Sequence, residues 1–381
     1  MEYRRFGQTG LNLSVITLGG MRYPHGWNPA DSALPEESLD ACHQCTQRAL
    51  DLGINHIETA HGYGISERLY GATFPRLKQK RRDFYLMTKG SPKTYDEAKQ
   101  MVERQMIRLG VDYIDLYGWH GMNTRELYET AMTPRGPVDA LEELRDEGVI
   151  RHLGFSTHAP LDVILDAINT RRFEFVNLHF YYFFQRNFPA VVQAGLRDMG
   201  VFIISPNDKG GQLFYPSEKL KRLCAPLTPI QFNARFCLSH PQIGTLSFGF
   251  DKPEYMDEML GIFNDGYYLN PEDRRIKLEL DSQVALLGDT YCTGCNACLP
   301  CPEFINIPEV LRFRNMVKAY DMVTFGKYRY NMLEGRTGHW VPGEFGDHCT
   351  DCGDCLPRCP VKLPIPALLR ETHQLLFETK R

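Results

Sequence analysis

No apolar run in the 381-residue chain approaches the ~20 residues that span a bilayer. The opening MEYRRFGQTG has no apolar core of the secretory-signal kind. Nor is there a basic run long enough to grip nucleic acid or an anionic membrane surface, since Lys+Arg 43 stand against Asp+Glu 47, for a net charge of −4. These absences argue against nucleic-acid and membrane partners and lead to the expectation of a soluble, cytoplasmic protein. Disulfides are not expected in that compartment. The 12 cysteines therefore need another use, and most of them crowd between Cys292 and Cys359.

The first two-thirds of the chain alternate short apolar runs with longer amphipathic ones. Candidate strands are SVITLGG from Ser14, HIETA from His56, FYLMTKG from Phe84, YIDLYGWH from Tyr113, IRHLGFST from Ile150, FVNLHF from Phe175, VFIISP from Val201 and TLSFG from Thr245. Helical patterns lie between them, such as DEAKQMVERQMIRLG, which ends on Gly110 as a helix C-terminus should. Strands that each leave room for a following helix imply a parallel sheet closed on itself. YRRFGQTGLNLSV, alternating around a Gln-Thr-Gly turn, suits a hairpin that plugs the barrel floor. The expected architecture is a (β/α)8 TIM barrel over residues 1–270, followed by a mainly α-helical, ferredoxin-like domain over 271–381.

Chemistry in such a barrel sits at the C-terminal ends of the strands. Strand two ends in Glu58-Thr59-Ala60 with Tyr63 in the next turn, strand three ends on Lys89, and strand four on His120. Any one of these alone reads as a solvated rim residue. A carboxylate, a phenol, an amine and an imidazole from successive strand ends can converge in one cleft.

These residues carry a resemblance. YRRFGQTGLNLSVITLGGMR, IETAHGYGISERLYG, MTKG, DLYGWH, GFSTH and GFDKPEYMDE resemble the aldo/keto reductase family in order and spacing over about residues 1–265. The resemblance implies reduction of an aldehyde or ketone, a small-molecule substrate, by NADPH or NADH. It makes Tyr63 the proton donor, Lys89 the cation beside it and His120 the residue that orients the carbonyl; Glu58 stands where the family has Asp. An ammonium within reach of the phenol is expected to lower its pKa from ~10. On the cofactor side the resemblance points to Gly20, Met21, Ser156, Asn177, where a Gln is usual, and Ser205. Gly210, Gly249 and Lys252 are candidates for the diphosphate and ribose phosphate, with no Arg in the segment Phe248–Lys252. The competing reading of these glycines is tight turns. The run Phe180–Phe184 either walls a flat ligand or buries a loop.

Beyond about Asn270 the pattern changes. Cys292, Cys295, Cys298 and Cys301-Pro302 are followed by Cys349, Cys352, Cys355 and Cys359-Pro360, and each Cys-Pro precedes an Ile-Pro, at Ile307 and Ile365. This is an internal duplication, with each proline suited to a first helical turn. Zinc needs only four ligands, commonly as two separated pairs. Three thiols at three-residue spacing closed by a distant Cys-Pro instead resemble the bacterial two-cluster ferredoxins, in which the fourth cysteine of each run serves the other cluster. That resemblance implies two 4Fe-4S clusters, one on Cys292, Cys295, Cys298 and Cys359, the other on Cys349, Cys352, Cys355 and Cys301. The first run has one residue fewer before its Cys-Pro. The whole chain then resembles the iron–sulfur branch of the family. Cys42 and Cys45 share a helix face, which suits packing rather than redox chemistry.

Two functions remain open at this level: a nicotinamide-dependent reductase with clusters as electron carriers, and an iron–sulfur electron-transfer protein whose barrel is a docking or flavin-binding scaffold. A nicotinamide passes a two-electron hydride and a cluster one electron, so exchange between them needs a mediator such as a flavin, for which no motif is visible. A redox protein partner is the other outlet.

Overall fold

The computed structural model describes residues 1–378 apart from 262, 264, 265, 337, 339 and 340. The chain divides into two compact units, Met1–Pro206 with Cys237–Tyr268, and Asn207–Phe236 with Leu269–Arg381.

In the first unit Tyr3–Arg5 (β1) pairs antiparallel with Asn12–Ser14 (β2). Eight parallel strands then close a barrel: β3 (Ile16–Gly19), β4 (His56–Glu58), β5 (Tyr85–Gly90), β6 (Ile114–Trp119), β7 (Ile150–Ser156), β8 (Phe175–Leu178), β9 (Gly200–Ile203) and β10 (Ile243–Gly249). Closure comes from β10 against β3, in register from Leu246 with Ile16 to Gly249 with Gly19. Every strand expected from the apolar runs is present, and the hairpin is too. Phe6, at the hairpin, lies in one buried cluster with Leu13, Met87, Leu116, Phe175 and Phe202. Burying such a ring contributes roughly 1.5–3 kcal/mol.

The helices between strands follow from local chemistry. Tyr95–Leu109 starts on Thr94, whose hydroxyl accepts from the Glu97 N–H at 3.2 Å, and stops on Gly110 in the left-handed conformation. Its buried face carries Ala98, Met101, Val102, Gln105 and Leu109, the three- and four-residue spacing of an amphipathic helix.

The second unit is helical. Pro271–Ala285 begins with a reciprocal cap between Asn270 and Asp273. Ile307–Tyr320 and Ile365–Leu376 each carry proline in the first turn, as the duplicated Ile-Pro pairs predict, and Val323–Tyr330 lies between them in sequence. Asn207–Phe236, which a division at residue 270 would give to the barrel, clusters with these helices. Ion pairs tie it there: buried Asp208 pairs with half-buried Arg312 at 2.8 Å, and Arg235 with Asp273, both buried, at 3.1 Å.

Candidate active site and cluster cavities

Because side chains alternate along a strand, His56 and Glu58 share one face of β4, and Thr245 and Ser247 one face of β10. Glu58 and Lys89 form an ion pair through Glu58 Oε1, both side chains almost fully buried. The hydroxyl of Tyr63 donates to the same Oε1 at 3.2 Å, and Ser247 donates to Oε2 at 3.4 Å. Lys89 Nζ lies 4.9 Å from the centre of the Tyr63 ring, over its face. His120 meets Tyr63 edge to face, centroids 5.6 Å apart and planes at 84°. The expected quartet is therefore assembled. Its stem room depends on small neighbours: a Cβ on Gly118 would sit 3.0 Å from Lys89 Cγ, and one on Gly19 2.8 Å from Ser247 Oγ.

One expectation is corrected. The phenol does not turn to the ammonium; it donates to Glu58, and burial pushes its pKa up rather than down. Burial likewise holds the Lys89 ammonium well below its ordinary pKa. Glu58 Oε1 accepts from Tyr63 while staying paired with Lys89.

Several supporting residues escaped the sequence reading. Below the quartet, Thr17 Oγ1 bonds His56 Nδ1 and Thr245 Oγ1, both at 2.8 Å, and burial drives the pKa of His56 down to about 3. Behind β5, Gln105 Nε2 donates to the Lys89 carbonyl at 3.1 Å and to buried Glu67 at 2.6 Å. Trp27 meets Tyr63 edge-on at 6.3 Å. The inward period of two in TLSFG was a usable signal for Ser247; nothing in sequence marks Trp27 or Gln105.

The candidate cofactor residues divide. Ser156 Oγ accepts from the Gly121 N–H at 3.0 Å, which fixes the loop after His120 and leaves the hydroxyl proton free to donate. Asn177 is buried, its amide donating to Met87 Sδ at 3.2 Å while its Oδ1 has no partner among the described residues. Gly20 donates to the Glu58 carbonyl at 2.7 Å, and Met21 follows it, half-buried. Ser205 is exposed with φ 47°, a left-handed corner ending the strand segment. Gly249 and Lys252 are exposed at the start of helix Pro253–Gly261. The segment contains no arginine, yet the Arg22 side chain lies against Gly249, where a Cβ would come within 2.5 Å of its Cγ. Gly210 belongs to the second unit and faces Tyr328. Phe180–Phe184 are all buried. So are Cys42 and Cys45, whose thiols burial pushes up to about 11 and about 12, against a redox role.

In the second unit the duplication reaches the backbone. Gly294 and Asp351, then Asn296 and Gly353, then Phe304 and Lys362 hold matching positions in the two runs, and all six have positive φ. In each run the first cysteine is half-buried, the second exposed and the third buried. One pocket, about 310 Å³, is lined by Cys292, Cys295, Cys298 and Cys359; the other, about 330 Å³, by Cys301, Cys349, Cys352 and Cys355. Among the described residues no group of three or more His, Cys, Asp or Glu closes on a single metal ion. Four thiols lining each pocket, none of the sets closed on a single ion, suit a cubane cluster better than a lone zinc.

Residues 15–205 match the aldo/keto reductase family, and residues 291–363 match the 4Fe-4S dicluster domain. The oxidoreductase YqkF of Bacillus subtilis is 26% identical over 302 residues, covering 69% of this chain and 92% of its own. Aldo-keto reductase family 1 member C13 of Mus musculus is 30% identical over 138 residues, 31% of this chain and 43% of that protein. Aldo-keto reductase AKR11C1 from Bacillus halodurans superposes with a TM-score of 0.60 at 22% identity, covering 73% of this chain and 96% of that one, a likeness of fold.

Proposed function

The chain belongs to the aldo/keto reductase family and carries a 4Fe-4S dicluster domain, and from that premise we propose that its barrel reduces a carbonyl substrate with NADPH. The observation that supports this is the convergence of Glu58, Tyr63, Lys89 and His120 at the ends of successive strands.

The nicotinamide, when bound, supplies the hydride. Alkoxide charge then develops on the substrate oxygen, which needs a proton and a cation nearby. Tyr63 keeps its proton at neutral pH because burial raises its pKa. When a carbonyl oxygen arrives, the hydroxyl turns from Glu58 to it and gives up the proton. Lys89, over the ring face, steadies the phenolate that remains, and Glu58 holds Lys89 in place. His120, packed edge-on to Tyr63, orients the carbonyl. Ser156 and the open Oδ1 of Asn177 suit the nicotinamide amide; Lys252 and Arg22 suit the ribose phosphate.

The cysteines of each pocket would hold one cluster, with Cys301 and Cys359 exchanged between the runs, and each cluster would supply a one-electron carrier. The family and fold matches lend no support to the flavin that the sequence leaves open. Anaerobic protein titrated with NADPH and assayed on simple aldehydes tests the reading. Binding should be measurable, and Tyr63→Phe should abolish turnover while leaving NADPH affinity nearly unchanged. Absence of binding by either nicotinamide at millimolar concentration sinks it in favour of the electron-transfer scaffold.

A further inference from the structure

The two cysteine runs differ by one residue: Leu299-Pro300 separates Cys298 from Cys301, whereas Leu356-Pro357-Arg358 separates Cys355 from Cys359. The additional residue is Arg358. It lines the pocket of Cys301, Cys349, Cys352 and Cys355, while its neighbour Cys359 lines the other. Its position is held by two backbone carbonyls, Nε donating to Asp354 at 2.8 Å and Nη2 to Pro300 at 2.9 Å. Among the described residues no carboxylate lies within ion-pair distance of it, so its charge is uncompensated.

The surroundings of the two pockets are otherwise unequal in charge. The pocket of Cys292, Cys295, Cys298 and Cys359 is lined, apart from its thiols, by Thr293, Asn296 and apolar side chains, with no charged residue. The other holds Arg358 and Glu303, and Glu303 is itself engaged by Arg336 at 3.7 Å and by the Thr350 hydroxyl at 3.3 Å. Of the two charged residues that line it, Glu303 is paired and, among the described residues, Arg358 is not; in the same run Asp351 is paired with Arg370 at 2.7 Å.

We propose that Arg358 makes the two clusters inequivalent, raising the midpoint potential of the one held by Cys301, Cys349, Cys352 and Cys355, so that the first electron rests there. The inference depends on the crossed ligation proposed above. Adding an electron makes a cluster more negative by one charge, and a fixed cation favours that state. A unit charge ~10 Å away in an effective dielectric of ~20 is worth about tenfold, and the half-exposed position of Arg358 reduces this. The positional cause is the added residue: with only two residues between the cysteines, as in the first run, no such side chain is placed.

The test is a dithionite titration of the full-length anaerobic protein followed by electron paramagnetic resonance. Wild type should show two separately reducible 4Fe-4S signals. Arg358→Gln should lower one midpoint alone, by a threefold to tenfold change in the reduced-to-oxidised ratio, at most about 59 mV for one electron. Arg358→Lys should restore most of it, and Glu303→Gln should move the same signal in the opposite direction. Where Arg358→Gln loses a cluster, Arg358→Met, which keeps the length of the side chain without its charge, decides the matter. Midpoints that stay put in all variants, or that shift together, overturn the inference. Fewer than two cluster signals in wild type would instead overturn the ligation on which it rests.

Discussion

Shortening Glu58 to Asp probes the one place where the quartet departs from the family pattern. The carboxylate bridges Lys89 and the Tyr63 hydroxyl, the latter at 3.2 Å. Removing one methylene withdraws it by ~1.5 Å. The flexible stem of Lys89 can follow and keep the ion pair, but the phenol, fixed by its ring contacts with Trp27 and His120, cannot. Its separation grows to ~4.5 Å, past hydrogen-bond range. A hydrogen bond to a carboxylate contributes about 1.5–3 kcal/mol, and in the parent protein substrate must displace it. Part of that competition disappears in Glu58→Asp. We expect kcat/KM for a small aldehyde to be unchanged or to rise by up to about tenfold, a gain of ~1.4 kcal/mol in the barrier. Steady-state NADPH oxidation under anaerobic conditions reads it. Glu58→Ala is the contrast: it strands a buried ammonium, costing ~3–5 kcal/mol of stability, and activity should vanish. A folded Glu58→Asp with both clusters but more than about a hundredfold less active would refute the reasoning. Glu58 would then have a role of its own, in contact with a substrate outside the aldehydes.

Burial holds the Lys89 pKa well down, so kcat/KM should fall on the alkaline side earlier than an ordinary lysine allows. Lys89→Arg, which does not titrate there, should lose that limb even if its rate is lower. For His56, with a folded pKa of about 3 against an ordinary 6.5, the unfolded chain binds a proton in that window that the folded chain does not. Stability therefore falls as pH drops, by ~1.6 kcal/mol between pH 6.5 and 5, and amide exchange of the barrel strands should show this in wild type but not in His56→Gln. If ligation is crossed, Cys301→Ala should disturb the cluster of Cys349, Cys352 and Cys355; damage confined to the Cys292 run would show that each run serves its own cluster. Iron and sulfide should each approach eight per chain in the parent protein, as two 4Fe-4S clusters require; zinc without sulfide would contradict the cluster assignment.

Some of this protein could be read without coordinates because the chemistry is periodic or local. Strands such as FYLMTKG and IRHLGFST declare themselves by their apolar runs, helix Tyr95–Leu109 by its cap at Thr94 and its stop at Gly110, and the cysteine duplication by spacing alone. The strand ends that bring Glu58, Tyr63, Lys89 and His120 together follow from the same periodicity, since a parallel barrel puts every strand's C-terminal end on one face. The rest depends on which atoms come close, and sequence order is silent about that. Only the tertiary structure decided that the Tyr63 hydroxyl donates to Glu58 while Lys89 lies over the ring face, because that turns on the placement of atoms within one cleft. Ser156 was legible as polar, but not as the acceptor that fixes the loop after His120. Arg22 near Gly249, and Asn207–Phe236 tied to the helical unit through Asp208 and Arg312, join residues far apart in sequence. Arg358 could be counted as one residue too many; that it turns toward one pocket while Cys359 turns toward the other is set by the path of the folded backbone.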